Sequence, residues 1–332
     1  MTIALRKEVT YENTNARLAS KLERLVLGDT SVNLAVEMYT GDEDGSRHTD
    51  GHSSPAYYVK HDEDETFNIA MREINARYDC FVDLGVGGEQ AVLKRGLVAA
   101  RAVCAEDYYA CDIAPGLIQG AIKQAADHGF YAKSFECDIF EKLPFIRQDA
   151  LIGILGLTIG NIETYKNPIA VKQRLIEIYQ YYALAANHPN PTSPSKGGLL
   201  VGWDANMDIQ DIEACYGNKQ MADLIRSCPE RVADTSKFDY HIVSERVKLN
   251  SEEEVCFVSL GLRARISHRM RCGEISIPVE ADQFISVLNT DRFSVPLMVD
   301  AFRQSGWRPD KKQLWSATGR VHYQHCTSKS EA

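Results

Sequence analysis

A glycine-rich stretch at residues 81–88 constrains the fold more than any other part of the chain. It reads F-V-D-L-G-V-G-G, an apolar run with one acid that leads into three glycines. A short, continuously apolar run is typical of a parallel strand buried on both faces. Glycine permits a sharp turn and lets backbone N–H groups approach a ligand without a Cβ in the way. Because residues 89–105 have the pattern of a helix, the stretch predicts the strand–turn–helix opening of a nucleotide-binding α/β domain.

The spacing of these glycines bears on the kind of ligand. No glycine stands at the third place of a G-x-G-x-x-G motif, which argues against a pyrophosphate-binding dinucleotide site. A D-L-G-x-G turn before a helix is the commoner opening of an S-adenosylmethionine (SAM) site. A NAD-linked oxidoreductase on the same core remains the alternative, and the glycines alone also suit an ordinary tight turn.

Two later apolar runs each contain an acid near their end. Residues 108–113 predict a second strand, and Asp112 stands about 25 residues past the glycines, where a Rossmann-like fold binds a ribose diol. Residues 134–140 predict a third strand with Asp138 and Ile139, the positions that commonly face the adenine in SAM enzymes. The alternatives are an N-cap role for Asp112, ahead of a helix that starts at Pro115, and an ordinary strand-end acid for Asp138.

A fourth apolar run, residues 150–156, leads into L-T-I-G-N-I-E at residues 157–163. The carboxyl ends of strands in a doubly wound sheet lie over the ligand crevice. Thr158 and Asn161 would then present a hydroxyl and an amide there, and the amide can grip a carboxylate or an amine. A tight Gly-Asn turn without a ligand is the alternative.

Composition excludes several classes of protein. The 332 residues include 37 Lys and Arg against 46 Asp and Glu, a net charge of −9 that disfavours nucleic-acid and anionic-membrane partners. No apolar run has the length of a membrane span, and the N-terminus lacks a signal-peptide core, so we expect a cytoplasmic protein. The nine cysteines form no C-x-x-C pair, which favours reduced thiols over a zinc site. We predict no metal, and the sequence indicates no particular oligomeric state.

The remaining segments are assigned by hydrophobic period and turn residues. The acidic, glycine-rich residues 41–54 predict either a lid over a site or a solvated connector. Tyr57 and Tyr58, which follow it, either line a pocket or anchor the loop. Helices are predicted for residues 11–38, 65–78, 116–128, 169–186, 209–228 and 295–305, and strands for residues 199–203, 240–249 and 255–266.

Residues 155–161, L-G-L-T-I-G-N, resemble the L-G-x-T-I-G-N signature of the histidine-specific SAM-dependent methyltransferase family. Its best-known member trimethylates the α-amino group of histidine in ergothioneine biosynthesis, and fungal relatives N-methylate tryptophan-derived amines. Residues 197–204, G-G-L-L-V-G-W-D, are similar to the family's G-G-x-L-L-I-G-x-D strand. Shorter similarities lie at residues 56–58, 84–87, 111–113, 137–140, 214–216 and 305–307.

The resemblance implies a Rossmann-like class I methyltransferase sheet with a second, substrate-binding domain. Residues 61–205 and 293–332 would form the SAM-binding domain, and residues 1–60 and 206–292 the cap. The implied cofactor is SAM, and the implied partner is a small-molecule amine. The site residues are Gly85, Gly87, Asp112, Asp138 and Ile139 for the cofactor, Asn161, Tyr57 and Tyr216 for catalysis, and Tyr58, Thr158 and Thr290 for the substrate.

The chain also departs from the family pattern. Val86 replaces the serine of the glycine turn, and the lysine expected soon after it appears only at Lys94. Residues 287–293 are the best match to the family's T-E-x-S-x-K-F stretch, and Leu288 stands at the place of its glutamate. Without that carboxylate, recognition of an imidazole N–H is not expected. The sequence therefore predicts N-methylation of an amino acid or amino-acid-derived amine other than histidine, with a non-catalytic SAM-binding relative as a further alternative.

Overall fold

The computed structural model of the chain describes residues 11–29, 32, 34, 37–38, 57–141, 143, 149–162, 166–186, 197–272 and 275–328. The predicted lid or connector at residues 41–54 lies outside these ranges. The helices are α1 (Tyr11–Val26), α2 (Tyr58–Glu73), α3 (Glu89–Ala91), α4 (Leu97–Ala102), α5 (Pro115–Asp127), α6 (Pro168–Ala186), α7 (Ile209–Tyr216), α8 (Lys219–Ser227) and α9 (Val295–Gln304), with a π-helix at Val92–Gly96 and 3₁₀ helices at Thr158–Asn161 and Pro229–Arg231. The strands are β1 (Cys80–Leu84), β2 (Asp107–Asp112), β3 (Tyr131–Glu136), β4 (Ala150–Ile154), β5 (Gly198–Asp204), β6 (Phe238–Lys248), β7 (Glu254–Ala264), β8 (His268–Cys272), β9 (Ile275–Val279), β10 (Phe284–Asn289), β11 (Arg292–Phe293), β12 (Trp307–Trp315) and β13 (Val321–Ser328).

The largest sheet has seven strands in the order β12-β13-β5-β4-β1-β2-β3. Strands β1 to β5 pair with their neighbours in parallel, and β13 is antiparallel to both β5 and β12. This mixed, mostly parallel sheet confirms the predicted α/β, Rossmann-like fold class. The strand order reverses between β1 and β4, and open α/β sheets bind ligands beside such a switch point, at the carboxyl ends of the strands.

The central strands are buried because helices cover both faces of the sheet. Every residue of β1, β4 and β5 is buried. On one face they pack against α6 and α9, and on the other against α2, α4 and α5. A strand buried on both faces has no polar alternation, which explains the continuous apolar runs in the sequence.

A second sheet has four strands, with β7 paired to β6, β10 and β11, and β8 and β9 form a separate hairpin. Ten of the eleven residues of β7 are buried. Leu18 and Leu22 of α1 contribute to the apolar core on this sheet, together with residues of α7 and α8. The division into domains at residues 61, 205 and 293 stays a prediction.

Two helices near the N-terminus have bounds that differ from the prediction, and the second of them, α2, also ends at Glu73 rather than at residue 78. The helix predicted to reach residue 38 ends at Val26, because Gly28 has a φ of +88° and such a residue ends a helix. Helix α2 begins at Tyr58 rather than at residue 65. Its first two turns are acidic and suggest a loop, yet Asp62 and Glu63 are buried and paired with arginines.

Three further assignments were wrong in detail. The helix predicted over residues 89–105 is interrupted by the π-helix Val92–Gly96. The helix predicted over residues 209–228 is two helices, because Asn218 accepts the Met221 N–H and starts a new one. Strand β3 begins three residues and ends four residues earlier than predicted, which leaves Asp138 outside it, and the β8–β9 hairpin was not predicted.

Within the described ranges, no helix combines the length and the apolar character that crossing a membrane requires.

Candidate functional site

The glycine turn at the carboxyl end of β1 lies close to Ile139 and Thr158. Gly85 and Gly87 have φ values of +73° and +64°, which L-residues with a side chain rarely adopt. A Cβ on Gly85 would lie 3.3 Å from Thr158 Cγ2 and 3.4 Å from Ile139 Cδ1. A side chain at residue 85 would therefore fill the gap between Ile139 and Thr158. This cradle, beside the switch point of the sheet, fits a nucleoside cofactor.

The carboxylate of Asp112 lies against this turn. Its Oδ1 accepts the Ala114 N–H at 2.9 Å, and the N–H groups of Val86 and Gly87 also reach the carboxylate. Burial raises the pKa of Asp112, and these N–H groups oppose the rise. The residue at the N-cap of α5 is Ala114, so the predicted alternative of Asp112 as that N-cap was wrong. Asp112 instead joins the end of β2 to the glycine turn.

Asp138 and Ile139 follow β3 on the same side of the sheet. Asp138 is exposed, and its Oδ1 accepts the Phe140 N–H at 2.9 Å. Ile139 is buried beside Gly85, and its carbonyl accepts the Tyr182 hydroxyl at 2.7 Å. The structure thus brings both predicted adenine-side residues to the edge of the cradle, one polar and exposed and the other apolar and buried.

A buried acid below the turn, Asp83, was not predicted as part of the site. It accepts a hydrogen bond of 2.5 Å from the Tyr108 hydroxyl, and burial raises its pKa to about 6. A Cβ on Gly96 would collide with the Asp83 carboxylate and would lie 2.7 Å from the Tyr108 oxygen. Gly96 therefore lets the π-helix pack closely on β1, although it stands outside the G-x-G-x-x-G spacing.

The Thr-Ile-Gly-Asn segment forms a short 3₁₀ helix, Thr158–Asn161, that faces the cradle. Gly156 and Leu157 precede it with φ values of +74° and +59°. The Gly160 carbonyl accepts the Asp291 N–H at 2.6 Å. The segment therefore connects the glycine turn, through Thr158, with the chain just before β11.

A buried arginine, Arg292, holds the second half of the site together. It is 2% exposed, and its Nε lies 2.7 Å from Asp204 Oδ2, although the N–H does not point along this ion pair. Its terminal nitrogens donate to the Thr290 carbonyl at 2.9 Å, to the Thr290 hydroxyl at 3.0 Å and to the Tyr216 hydroxyl. Arg292 thus links the end of β5 to two predicted site residues.

Two tyrosines at the start of α2 complete this cluster. The Tyr58 hydroxyl donates to Asp204 Oδ2 at 2.8 Å. The ring of Tyr57 lies 5.7 Å from that of Tyr216 in an edge-to-face contact. Burial raises the pKa of all three tyrosines, so their hydroxyls stay protonated at neutral pH. The structure therefore brings together Tyr57, Tyr58, Tyr216 and Thr290 from distant parts of the chain.

Leu288 lies in the apolar core that borders this cluster. It is 7% exposed and belongs to the same packed group as Tyr57, Tyr216 and Leu157. The register of β10 against β7 shifts between Ser286 and Leu288. Such irregularities re-aim side chains, so the exact direction of residue 288 could not be predicted from strand alternation.

The comparison with protein families decides the identity. A family model described as histidine-specific, SAM-dependent methyltransferase matches residues 36–329. The chain belongs to this family. The resemblance seen in the sequence is thereby confirmed, and the protein is an enzyme, a methyltransferase that uses SAM. This assignment replaces the NAD-linked and non-catalytic alternatives. A search of curated proteins found no match.

Solved structures that resemble the methyltransferase are distant. An O-methyltransferase family protein from Burkholderia thailandensis is 12% identical, with a TM-score of 0.46 over 96% of this chain and 71% of that one. A SAM-dependent methyltransferase from Clostridium acetobutylicum is 10% identical, with a TM-score of 0.43 over 81% and 91%. The 1,6-didemethyltoxoflavin-N1-methyltransferase of B. thailandensis, solved with S-adenosylhomocysteine, is 12% identical, with a TM-score of 0.43 over 88% of each chain. The family model alone carries the assignment.

The site residues that the sequence did not predict share one property: they are buried charged residues that contact other residues of the site. Asp204 was matched only as the last residue of the family's G-G-x-L-L-I-G-x-D strand, and Arg292 only as part of the best match to its T-E-x-S-x-K-F stretch. Asp83 interrupts an otherwise apolar run, and this signal was available because buried charges need partners. Asp204 only ends such a run, and Arg292 stands among polar residues. Nothing in the sequence marks which partners those are.

Proposed function

We propose that this methyltransferase transfers the methyl group of SAM to the amine of an amino acid, or of a small metabolite derived from one, in the cytoplasm. One observation carries the proposal. Protonated hydroxyls of Tyr57, Tyr58 and Tyr216 converge with Thr290 around Arg292, next to the Thr158–Asn161 segment and the glycine cradle. The Tyr58 hydroxyl donates to Asp204, whereas the Tyr216 and Thr290 hydroxyls accept from Arg292 and can donate their own O–H groups. Such donors suit the carboxylate that amino acids carry.

The cofactor side of the site follows the geometry of the cradle. Gly85 and Gly87 would admit the methionine end, Asp112 would accept hydrogen bonds from the ribose, and Asp138 with Ile139 would border the adenine. When bound, SAM supplies an electrophilic methyl group on a sulfonium, so the residues of the chain need only bind and orient. Asp112 already accepts N–H groups from the turn, and these contacts would hold its carboxylate toward a ribose diol.

The acceptor side would hold the amine and exclude water. Asn161 offers both a donor and an acceptor and would grip the amine or the carboxylate, with Thr158 beside it at the cradle. Transfer requires a neutral amine in line with the methyl group. Burial among apolar residues lowers the pKa of an ammonium group, and orientation brings the nitrogen within reach of the methyl. Tyr57 and Tyr216 would help to orient it.

The side chain of the acceptor would face an apolar wall. Leu288, in the place of the family's glutamate, offers no acceptor for an imidazole N–H. Leu157 and Tyr57 belong to the same packed group. An imidazole buried without a partner would leave a polar group unsatisfied, which disfavours binding. We therefore infer an acceptor with a more apolar side chain than histidine.

The test is methyl transfer from labelled SAM to a panel of free amino acids and related amines, read by mass spectrometry. We expect a product with added methyl groups on an amine for an apolar or aromatic amino acid, and little product from histidine. The Leu288→Glu variant is the matched comparison, because restoring the carboxylate should raise transfer to histidine relative to the preferred acceptor. Histidine as the best acceptor of the natural protein would contradict the inference from Leu288, and transfer only to oxygen would contradict N-methylation.

A further inference from the structure

Glu63 in α2 takes no part in the chemistry proposed above, yet it contacts several parts of the site. It is 3% exposed. Its Oε2 lies 2.8 Å from Arg95 Nη2, and its Oε1 accepts the Tyr323 hydroxyl at 2.9 Å. The Gly156 N–H donates to this carboxylate and to the Tyr323 oxygen. Burial raises the pKa of Glu63, and Arg95 is the strongest influence that opposes the rise.

Arg95 connects Glu63 to the cofactor turn. It belongs to the π-helix Val92–Gly96, which follows the turn at residues 85–88 after α3 alone. A Cβ on Gly156 would lie 3.5 Å from Arg95 Nη1, so the guanidinium also packs on the turn before Thr158. π-Helices are rare and frequently occur at functional sites. Here the π-helix places Arg95 between the glycine turn and α2.

The turn at Gly156 and Leu157 needs such support. Both residues have positive φ, and a leucine in that region is disfavoured. Conformations of this kind persist only where the surroundings hold them. The buried carboxylate of Glu63 and the Tyr323 oxygen receive the Gly156 N–H, and the Thr158–Asn161 segment begins directly after Leu157. Glu63 therefore helps to set where Thr158 and Asn161 lie.

The same helix carries the tyrosines of the acceptor side. Tyr57 is the N-cap of α2 and Tyr58 its first residue, so Glu63 lies less than two turns further along. One carboxylate thus touches the π-helix behind the cofactor turn, the strained turn before Thr158 and the helix of Tyr58. Contiguous ion pairs and hydrogen bonds of this kind can carry coupling between two sites.

We propose that Glu63 is a positioning residue that couples cofactor binding at the glycine turn to the acceptor side of the site. A ligand that holds residues 85–88 restrains the π-helix and Arg95. Through Glu63, that restraint reaches the N-terminal half of α2 and the turn at Gly156. The inference rests on the proposed acceptor role of Tyr57 and Tyr58, but its test uses only the cofactor product, so the two can fail separately.

The test is hydrogen–deuterium exchange with and without S-adenosylhomocysteine, each protein being saturated according to its own calorimetric affinity. Thr158 borders the cradle, so a bound ligand could slow exchange there by direct contact. Exchange at residues 60–67 of α2 is therefore the informative measurement. In the natural protein the ligand should slow exchange there by roughly fivefold or more. In Glu63→Gln, which keeps the shape of the side chain but removes its charge, the ligand should still bind and protect residues 85–96, while residues 60–67 lose the effect.

Glu253→Gln is the matched control. Glu253 is also a buried acid, 8% exposed and 2.8 Å from Lys172 Nζ, but it belongs to the connection between β6 and β7. It should keep the protection of residues 60–67. Equal protection in ligand-saturated Glu63→Gln, or no ligand effect on residues 60–67 in the natural protein, would overturn the proposal. If Glu63→Gln does not fold, the Arg95→Met variant replaces it, because it removes the same ion pair at the arginine. Loss of the ligand's protection of residues 60–67 is again the expected result, and unchanged protection would overturn the proposal.

Discussion

Replacing Gly96 with alanine tests how closely the π-helix must approach β1. The new Cβ would lie 2.7 Å from the Tyr108 oxygen and still closer to the Asp83 carboxylate. Both groups are buried and share a hydrogen bond of 2.5 Å, so neither can move into solvent. Overpacking of this kind costs about 1–3 kcal/mol, and breaking the buried hydrogen bond adds about 1–3 kcal/mol. The better helix propensity of alanine offsets about 1 kcal/mol, which leaves a net loss of about 1–5 kcal/mol.

The assay is urea unfolding, with the loss read from the midpoint at an unchanged m-value. Gly120→Ala is the matched control, since Gly120 lies in α5 and its Cβ would meet Glu89 Cγ at an ordinary 3.5 Å. That variant should gain about 0.5–1 kcal/mol, because only the helix propensity changes. If Gly96→Ala were as stable as Gly120→Ala, the close contact with Asp83 would not exist and the reasoning would be refuted.

Four further predictions concern single side chains. Burial raises the pKa of Asp83 from 3.8 to about 6, so the folded state favours its protonated form. The resulting stabilisation of the folded protein is present below about pH 4 and is lost as the pH rises through about 6. Relative to Asp83→Asn, the natural protein should lose up to about 3 kcal/mol of unfolding free energy across that window, and a difference independent of pH would contradict the prediction. Asp112→Ala should weaken SAM binding by about tenfold or more in calorimetry, because charged hydrogen bonds contribute about 1.5–3 kcal/mol, and unaltered affinity would remove Asp112 from the site. Asn161→Ala should keep SAM affinity but lower kcat/KM by roughly 10- to 100-fold, and a folded variant with unchanged turnover would remove Asn161 from it. Arg292→Met should lower the unfolding free energy by about 3–5 kcal/mol, because Asp204 would stay buried without its ion-pair partner, and a thermal melt close to that of the natural protein would show the pair to be unimportant.

The cofactor half of the site was predictable because its signals are local. The glycine turn and Asp112 each follow an apolar run, Asp138 follows the next strand, and parallel strands place their carboxyl ends at one edge of the sheet. Short-range patterns were therefore sufficient for the fold class, and the role of the cradle in cofactor binding stays a prediction. The error in β3 arose because its exposed edge position gives it a mixed burial pattern rather than an apolar run.

The acceptor half was predictable only through the family resemblance. The acceptor half combines residues from different elements, namely Tyr57, Tyr216 and Thr290. Their proximity in the fold cannot be predicted from any short segment of the sequence. Residue spacing indicated neither that Tyr216 and Thr290 share Arg292 as a partner nor that Asp204 also binds Tyr58. Such contacts depend on how the second sheet meets the first, which is a property of tertiary packing.

The arrangement of buried charges explains why the acceptor site can be selective without a free ionic group. Arg292 and Asp204 neutralise each other, and Glu63 and Arg95 do the same on the other side of α2. Tyr57, Tyr216, Thr290 and Asn161, which we propose face the acceptor, would present neutral hydroxyls and an amide. Because an unpaired buried charge is costly, a charged acceptor side chain would need a partner that these paired residues do not offer. We therefore predict selectivity for an acceptor with an apolar side chain from the internal pairing as well as from Leu288.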